Sequence, residues 1–443
     1  MALSTQPYKG ARDFYPEDKR VQNYMFKRIS ETCERFGYEE YNAPILEPTE
    51  LYLSKGNQEI IDEQTYTFQD RGGRSVTIRT EMTPTVSRLV AGKRQELPYP
   101  IRWYSIANFW RYERAQKGRL REFWQLNIDI FGVENILAEQ ELIQFTAALF
   151  KAFDAKPSMY AIKLNNRKFI NYIMSEYLGL DEVQTTSMIR LIDRYKKMDR
   201  ADFVTQADAI CQPSQREAGI VEKLLEVLAV EKIEQLPQEL QMQPNLVELK
   251  GLIELVKGVG ITNVEFDITL MRGFDYYTDT IIEVNDTNPE NSRSLLGGGR
   301  YNGLVGSFGV EPIPTAGYAL GDVTFEAFLR GHNLLPPLPP ETDVYVAFVG
   351  DVLQQAEPAI GELRENGINV AVDLSGRKLD KQLATAAKKG IRYALIIGEQ
   401  ELADKQFTLR DLGKGTEEKH SLARIASILS DYRRPEKVSD DEL

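Results

Sequence analysis

The segment Phe109–Gly132 reads FWRYERAQKGRLREFWQLNIDIFG: two apolar, strand-like runs joined by a loop of Arg, Gln, Lys and Gly. Runs rich in aromatic and branched residues on either side of a short glycine-containing loop predict a β-hairpin, so this part of the chain is committed to antiparallel pairing. Between Arg102 and Arg121 the basic residues are Arg102, Arg111, Arg114, Lys117, Arg119 and Arg121, and the single acid is Glu113. The whole chain carries a formal net charge of −12, so the cluster opposes the global field. A basic hairpin on an acidic protein points to a local site for a polyanion; the plain alternative is a salt-laced, solvent-exposed hairpin. Arg111 and Glu113 are two residues apart and share a face if the strand extends through them. An arginine fork can neutralise a phosphate, Glu113 can accept from a base amino group or steady an arginine, and Phe123 offers a flat face for a base.

A chain of 443 residues predicts two or three domains, and 42% apolar content is enough for their cores. No charged-then-apolar start marks a secretory signal and no run is long enough to span a bilayer, so a cytoplasmic protein without membrane contact is expected. Cys33 and Cys211 lie far apart, without metal-ligand spacing or a disulfide framework, as suits a reducing compartment. The only histidines are His332 and His420, which argues against Ser-His or Cys-His catalysis and histidine-rich zinc sites; no tightly bound, protein-ligated metal is expected.

The expected architecture is α/β: an α+β domain with a mixed, mainly antiparallel sheet over 1–332, interrupted by a helical insertion at 166–259, then a small α/β domain with a mainly parallel sheet over 342–433. The spacing predicts a helix over Pro16–Phe36, an extended start at Tyr41–Pro44 and a hairpin of Tyr66–Gln69 with Ser75–Arg79. Helices follow at Thr83–Ala91 and Glu134–Phe153, and a strand at Tyr160–Leu164. Leu, Ile and Met at helical intervals mark the insertion. Strands at 264–268, Tyr276–Val284 and Ser294–Leu296 follow, and Gly297–Gly303 reads as a glycine-rich turn. Asn333–Pro340 is a stiff Pro-rich linker, with the boundary at 333–341. Beyond it, strands at Val344–Val349, Ile368–Asp373 and Tyr393–Ile397 alternate with helices at Leu353–Asn366 and Lys378–Lys389. Residues 434–443 read as a charged, disordered tail.

The basic hairpin resembles motif 2 of class II aminoacyl-tRNA synthetases. Leu270-Met-Arg-Gly-Phe-Asp-Tyr-Tyr277 is similar to the RG-hydrophobic-DYY signature of the histidyl-tRNA synthetase family, and Ile78-Arg-Thr-Glu-Met-Thr83 to its segment for the substrate amino group. Further matches run from Tyr8-Lys-Gly-Ala-Arg-Asp-Phe14 to Val372-Asp-Leu-Ser-Gly-Arg377, so the resemblance covers almost the whole chain. It implies ATP-dependent activation of L-histidine and its transfer to tRNA(His), with ATP used together with Mg²⁺, metal ligands unknown, and a homodimer built around the motif 1 region near Tyr41–Pro44. Without the resemblance that region is an ordinary helix–turn–strand unit. The implied catalytic pair is Arg111 and Arg272. The implied histidine site is Glu81, Met82, Thr83, Arg111, Gln125, Asp129, Arg272, Tyr276 and Tyr277. In it Glu81, Thr83 and Gln125 hold the ammonium, Asp129 and Tyr277 read the imidazole, and Tyr276 can equally pack. The implied ATP site is Arg111, Glu113, Arg119, Arg121 and Phe123. Arg114, Gln116, Lys117 and, in the C-terminal domain, Arg377 beside Lys378 are the implied tRNA contacts.

One motif departs from the pattern. Class II motif 3 ends in a glycine-rich strand, a hydrophobic residue, Glu and Arg, and that arginine grips the far end of ATP. Here Gly317-Tyr-Ala-Leu-Gly321 is followed by Asp322-Val323-Thr324, with Val323 at the acid's place and Thr324 at the arginine's. Either another arginine, such as Arg119, Arg121 or Arg300, holds the γ-phosphate, or ATP binds weakly. The alternative is a histidine-sensing regulatory subunit that no longer activates its amino acid; a tRNA-binding module without chemistry is a third reading.

Overall fold

A computed structural model describes residues 3–53, 64–114, 116, 118–271, 276–291 and 293–433. The chain divides into two compact units, Met1–Phe14 with Gln22–Leu335, and Tyr15–Val21 with Pro336–Leu443. The motif residue Arg272, the loop residue Lys117 and the tail 434–443 lie outside the described residues.

In the first unit the strands are β1 (Glu39–Glu40), β2 (Leu46–Pro48), β3 (Tyr66–Gln69), β4 (Ser75–Ile78), β5 (Ile101–Trp110), β6 (Glu122–Phe131), β7 (Tyr160–Asn166), β8 (Val264–Phe266), β9 (Thr280–Asp286), β10 (Ser294–Arg300) and β11 (Thr315–Gly321). Eight of them form one sheet in the order β1-β5-β6-β11-β10-β9-β7-β8, and β2-β4-β3 form a small second sheet. Only the outermost pairs of the large sheet, β1 with β5 and β7 with β8, are parallel. The expected hairpin supplies its second and third strands: β5 and β6 pair from Ile101↔Phe131 to Trp110↔Glu122. Helix Leu137–Lys151 contacts β11 and buries Leu142, Phe145, Leu149 and Phe150. Burial of such side chains stabilises by about 1.5–3 kcal/mol each. Helix Asp322–Gly331 contacts β6, β10 and β11. Its Phe325 and Phe328 meet Phe150 edge to face, with centroids 5.6 and 5.2 Å apart, the geometry that aromatic quadrupoles favour.

Asn166 ends β7 and caps the next helix, its side chain accepting from the N–H groups of Lys168 and Phe169. The chain thereby passes directly from sheet to insertion, whose helices run from Arg167 to Gly258. Two expectations shift. The strand expected at Tyr276–Val284 begins only at Thr280. The glycine-rich run expected as a turn instead completes strand β10 through Arg300. Glycine is needed there for close strand packing: a Cβ on Gly298 would lie 2.2 Å from the Gly317 carbonyl oxygen.

The second unit has strands β12 (Val344–Phe348), β13 (Val370–Val372), β14 (Tyr393–Ile397), β15 (Phe407–Asp411) and β16 (Thr416–His420) in the order β13-β12-β14-β15-β16. β12 pairs in parallel with β13 and β14. The sheet then continues into an antiparallel hairpin, β15–β16, beyond the last strand expected from the alternation.

Candidate active site

The two halves of the large sheet, the basic hairpin and the insertion line one cavity of about 1420 Å³. Its lining includes Glu81, Thr83, Arg111, Glu113, Arg119, Phe123, Gln125, Asn127, Tyr276, Tyr277 and Tyr301. These residues come from places far apart in sequence, and the sheet order explains the convergence. β4 ends at Ile78 and delivers Glu81 and Thr83. β6 is flanked by β5 and β11, so its polar face of Gln125, Asn127 and Asp129 lies mid-sheet.

At one end sit two buried carboxylates, each with a tyrosine. The Tyr276 hydroxyl donates to Glu81 Oε2 at 2.8 Å and also meets Thr83. Burial pushes the Glu81 carboxyl up to about 7, against the opposing pull of Arg111 and the Tyr276 hydrogen bond. Tyr301 donates to Asp129 Oδ1. Burial likewise raises Asp129 to about 7, with the Tyr301 bond lowering it. Tyr276 and Tyr277 have ring centroids 4.9 Å apart, and Tyr277 lies 6.4 Å from Tyr301. Asp129 thus has a hydroxyl partner, Tyr301, that the sequence analysis did not name. Tyr276 is more than packing, because its hydroxyl holds Glu81. Gly317 faces Asp129 across the β11–β6 pair, where a Cβ would stand 2.1 Å from Asp129 Oδ1. The absent side chain is what makes room for the carboxylate.

Arg111 stands beside this end. Its Nε donates to the Thr80 carbonyl at 2.9 Å and its guanidinium lies 5.3 Å from the Phe123 ring centroid. Phe123 also stacks with Phe109 at 6.0 Å. Beyond Arg111, Glu113 is buried and ion-paired with Arg119. The two hairpin-loop residues Gln116 and Arg119 exchange backbone hydrogen bonds, which closes the tip.

Several expected site residues stand elsewhere. The Met82 side chain is fully buried with Ala107 and Phe109 and does not line the cavity. Asp129 is likewise behind the lining and reaches it through Tyr301. Arg121 is held away by the Tyr8 hydroxyl, the Glu113 carbonyl and the Tyr112 ring. Arg300 is 4% exposed and locked to Glu139, Val133 O and Asn135 O. Neither Arg121 nor Arg300 is placed to hold a γ-phosphate. Thr324 does line the cavity, its hydroxyl donating to the Gly321 carbonyl at 3.3 Å. Arg114 and Gln116 are exposed on the loop. In the second unit Arg377 is tied to Ser375 and Thr385 at 2.7 and 3.0 Å. His332 meets Asp286 at 2.8 Å, a partner 46 residues away, and neither lines the cavity.

Sequence reasoning missed Glu283 on β9, Arg293 and Tyr301 at the two ends of β10, and Arg167, Arg190 and Arg194 from the insertion, all of which line the cavity. Tyr301 was legible in principle: only Arg300 separates it from the triple glycine, and reading that run as a strand would have placed it at a strand end. Among the described residues no group of three or more His, Cys, Asp or Glu is arranged to hold a metal ion, and no helix is long and apolar enough to cross a membrane.

Comparison with known proteins finds two family models along the chain: one described as histidyl-tRNA synthetase over residues 10–322, the other as an anticodon binding domain over residues 343–432. A histidine--tRNA ligase from Leptospira biflexa is 39% identical over 412 residues, 93% of this chain and 94% of the relative. One from Opitutus terrae is 36% identical over 435 residues, 96% and 98% of the two chains. Among solved structures, a histidyl-tRNA synthetase from a Nostoc species matches with a TM-score of 0.80 at 25% identity, over 97% of this chain and 100% of its own. A Bacillus halodurans protein described as an ATP phosphoribosyltransferase regulatory subunit/histidyl-tRNA synthetase shares the fold, with a TM-score of 0.73 at 22% identity over 90% and 99%.

Proposed function

The chain belongs to the histidyl-tRNA synthetase family, and from that premise we propose that it is a histidine–tRNA ligase acting on L-histidine, MgATP and tRNA(His). The histidine carboxylate attacks the α-phosphorus of ATP and pyrophosphate leaves; a ribose hydroxyl at the tRNA 3′ end then attacks the histidyl carbonyl of the adenylate, forming the ester and releasing AMP. Neither step needs a strong protein base. The first must bring two anions together, which calls for fixed positive charge and positioning.

The observation that carries this reading is the pair of buried carboxylate–tyrosine contacts beside Arg111 in one cavity. Glu81 with Thr83 and Gln125 takes the substrate ammonium, which restores charge balance to a carboxylate that burial otherwise disfavours. The Asp129–Tyr301 pair, with Tyr277 beside it, takes the imidazole, whose N–H donor and ring acceptor each need a complement. Arg111, and by family resemblance Arg272, meets the α-phosphate. Phe123 faces the base, and Glu113 with Glu283 supplies carboxylates on the lining toward the magnesium of the nucleotide. Arg114, Gln116 and Lys117 face the tRNA acceptor end. The C-terminal unit with Arg377 takes the anticodon, and its family match supports a ligase over a regulatory subunit. The family resemblance is the ground for a homodimer and for a place in the cytoplasm.

Histidine-dependent ATP–pyrophosphate exchange, followed by charging of tRNA(His), tests the reading. Exchange that requires histidine and is lost in Arg272→Ala is expected. Histidine binding with no exchange would replace it with a sensor.

A further inference from the structure

The ligase reading leaves the outer phosphates of ATP without the arginine that the family pattern places after Gly321. Resting on that reading, we propose that Arg293 supplies this charge, binding the β- and γ-phosphates from the segment that leads into β10. Thr324, at the arginine's place, is 8% exposed and offers only a hydroxyl turned to its own helix end.

The strand pairing brings a cation to the same end of the sheet by another route. β10 and β11 are antiparallel, with Leu296 opposite Leu320 and Gly297 opposite Ala319. Arg293 directly precedes β10, and Thr324 lies in the first turn of the helix that follows β11, so both stand at the same end of this strand pair. The segment is held there. Asn291 Nδ2 donates to the Thr324 carbonyl at 3.4 Å and to Asp286 Oδ2 at 2.9 Å, so Asn291 is tied to the first turn of the very helix that lacks the arginine. The side chain then crosses toward the basic hairpin. A Cβ on Gly118 would lie 3.0 Å from Arg293 Cδ and 3.5 Å from its Nε. Gly118 has φ +75°, a left-handed conformation suited to glycine, so one residue both turns the loop and leaves space for the arginine stem. Arg293, Gly118 and Thr324 all line the cavity.

Two other arginines on this side of the cavity are paired with carboxylates. Arg12 is paired with Asp322 at 2.5 Å, and Asp322 also accepts from the Trp124 N–H at 2.9 Å. Arg119 is paired with Glu113. A planar fork suits two phosphate oxygens at once, and a lysine at the same place retains charge but loses the bidentate contact.

The test compares equilibrium binding of MgATP and of AMP to the wild-type chain, Arg293→Ala and Arg293→Lys, with pyrophosphate exchange read in parallel. Arg293→Ala is expected to weaken ATP binding at least tenfold while AMP binding stays within twofold, and Arg293→Lys to recover part of the loss. ATP affinity within twofold of wild type in Arg293→Ala would overturn the proposal, as would equal losses for ATP and AMP, which would mark a merely structural role. Thermal melting confirms that each variant is folded. If the wild-type chain shows no histidine-dependent exchange, the ligase reading falls and the binding comparison still decides on Arg293. If wild type exchanges and Arg293→Ala behaves identically, Arg293 alone falls.

Discussion

The two ends of the cavity are built on different physical plans. At the Glu81–Asp129 end, charges are buried, each carboxylate has a tyrosine hydroxyl, and the neighbouring strands leave no slack: Gly317 permits Asp129 because it has no side chain. At the Thr324 end, the groups are half-exposed arginines carried on a hairpin loop and a strand start, and the family's expected cation is missing. Recognition of a small amino acid depends on a few desolvated groups in fixed positions, so replacing one residue is costly. Holding a flexible, highly charged phosphate tail needs positive charge in the right region, and more than one backbone position can provide it. The end that tolerates substitution is the end where the chain has departed from its family.

The sharpest way to break this contrast is at the junction of the two ends. Arg111→Ala removes charge from the reacting phosphate and should lower the exchange rate by about 10²–10³-fold, the usual cost of deleting a preorganised transition-state donor. A loss confined to KM would mean that Arg111 serves only ground-state binding. Next in size, Asp129→Asn should weaken histidine binding by about 1.5–3 kcal/mol, the range for a hydrogen bond to a charged group, and leave ATP binding unchanged. Calorimetry with each ligand separates the two, and parallel losses would contradict the division of labour.

Gly317→Ala probes the close packing itself. The added methyl overlaps Asp129 and the Ile128 carbonyl, and overpacking of this kind costs about 1–3 kcal/mol. A lowered melting temperature with weakened histidine binding is expected; a variant as stable as wild type would mean that β11 shifts freely.

The pH dependence should also belong to one end. Glu81 and Asp129 are raised to about 7 from ordinary values of 4.5 and 3.8. Raised acids bind more protons folded than unfolded, so they favour the fold at low pH, and their contribution declines as pH rises from about 4 through about 7. Histidine reverses this when its ammonium meets the ionised Glu81. Below pH 7 its binding should therefore release a proton, read from the buffer dependence of the binding enthalpy, and Glu81→Gln should lose that share of the release. Proton release equal in variant and wild type would remove Glu81 from the ammonium site. The smallest effect is expected at the hairpin tip: Arg114→Ala should leave exchange intact and weaken tRNA charging by less than about 1 kcal/mol, as is typical of a single exposed charge.

Much of this site was legible before any coordinates. Arg111, Glu113 and Phe123 were read from the chemistry of one hairpin, Gln125, Glu81 and Thr83 from the family resemblance, and all six line the cavity. The hairpin itself is local: strand periodicity and turn chemistry operate over a few residues, so the sequence carries both the element and its facing. Tyr301 was lost because three glycines read as a turn when, inside a sheet, they are the closest-packed part of a strand. Arg300 and Arg121 were misassigned because a guanidinium looks the same in sequence whether its partner is a substrate or a buried glutamate.

The sequence by itself determined the long antiparallel hairpin, the family pattern and the threonine at position 324 where that pattern has an arginine. Only the tertiary structure decided which hydroxyl serves which carboxylate, which arginines are already committed inside the protein, and that Arg293 reaches the cavity beside Thr324. The physical reason is the sheet order. With β6, β11, β10 and β9 adjacent, residues as distant as Glu81 and Tyr276, 195 positions apart, become hydrogen-bonding partners. No local propensity encodes such a pairing; it exists only once the strands have chosen their neighbours.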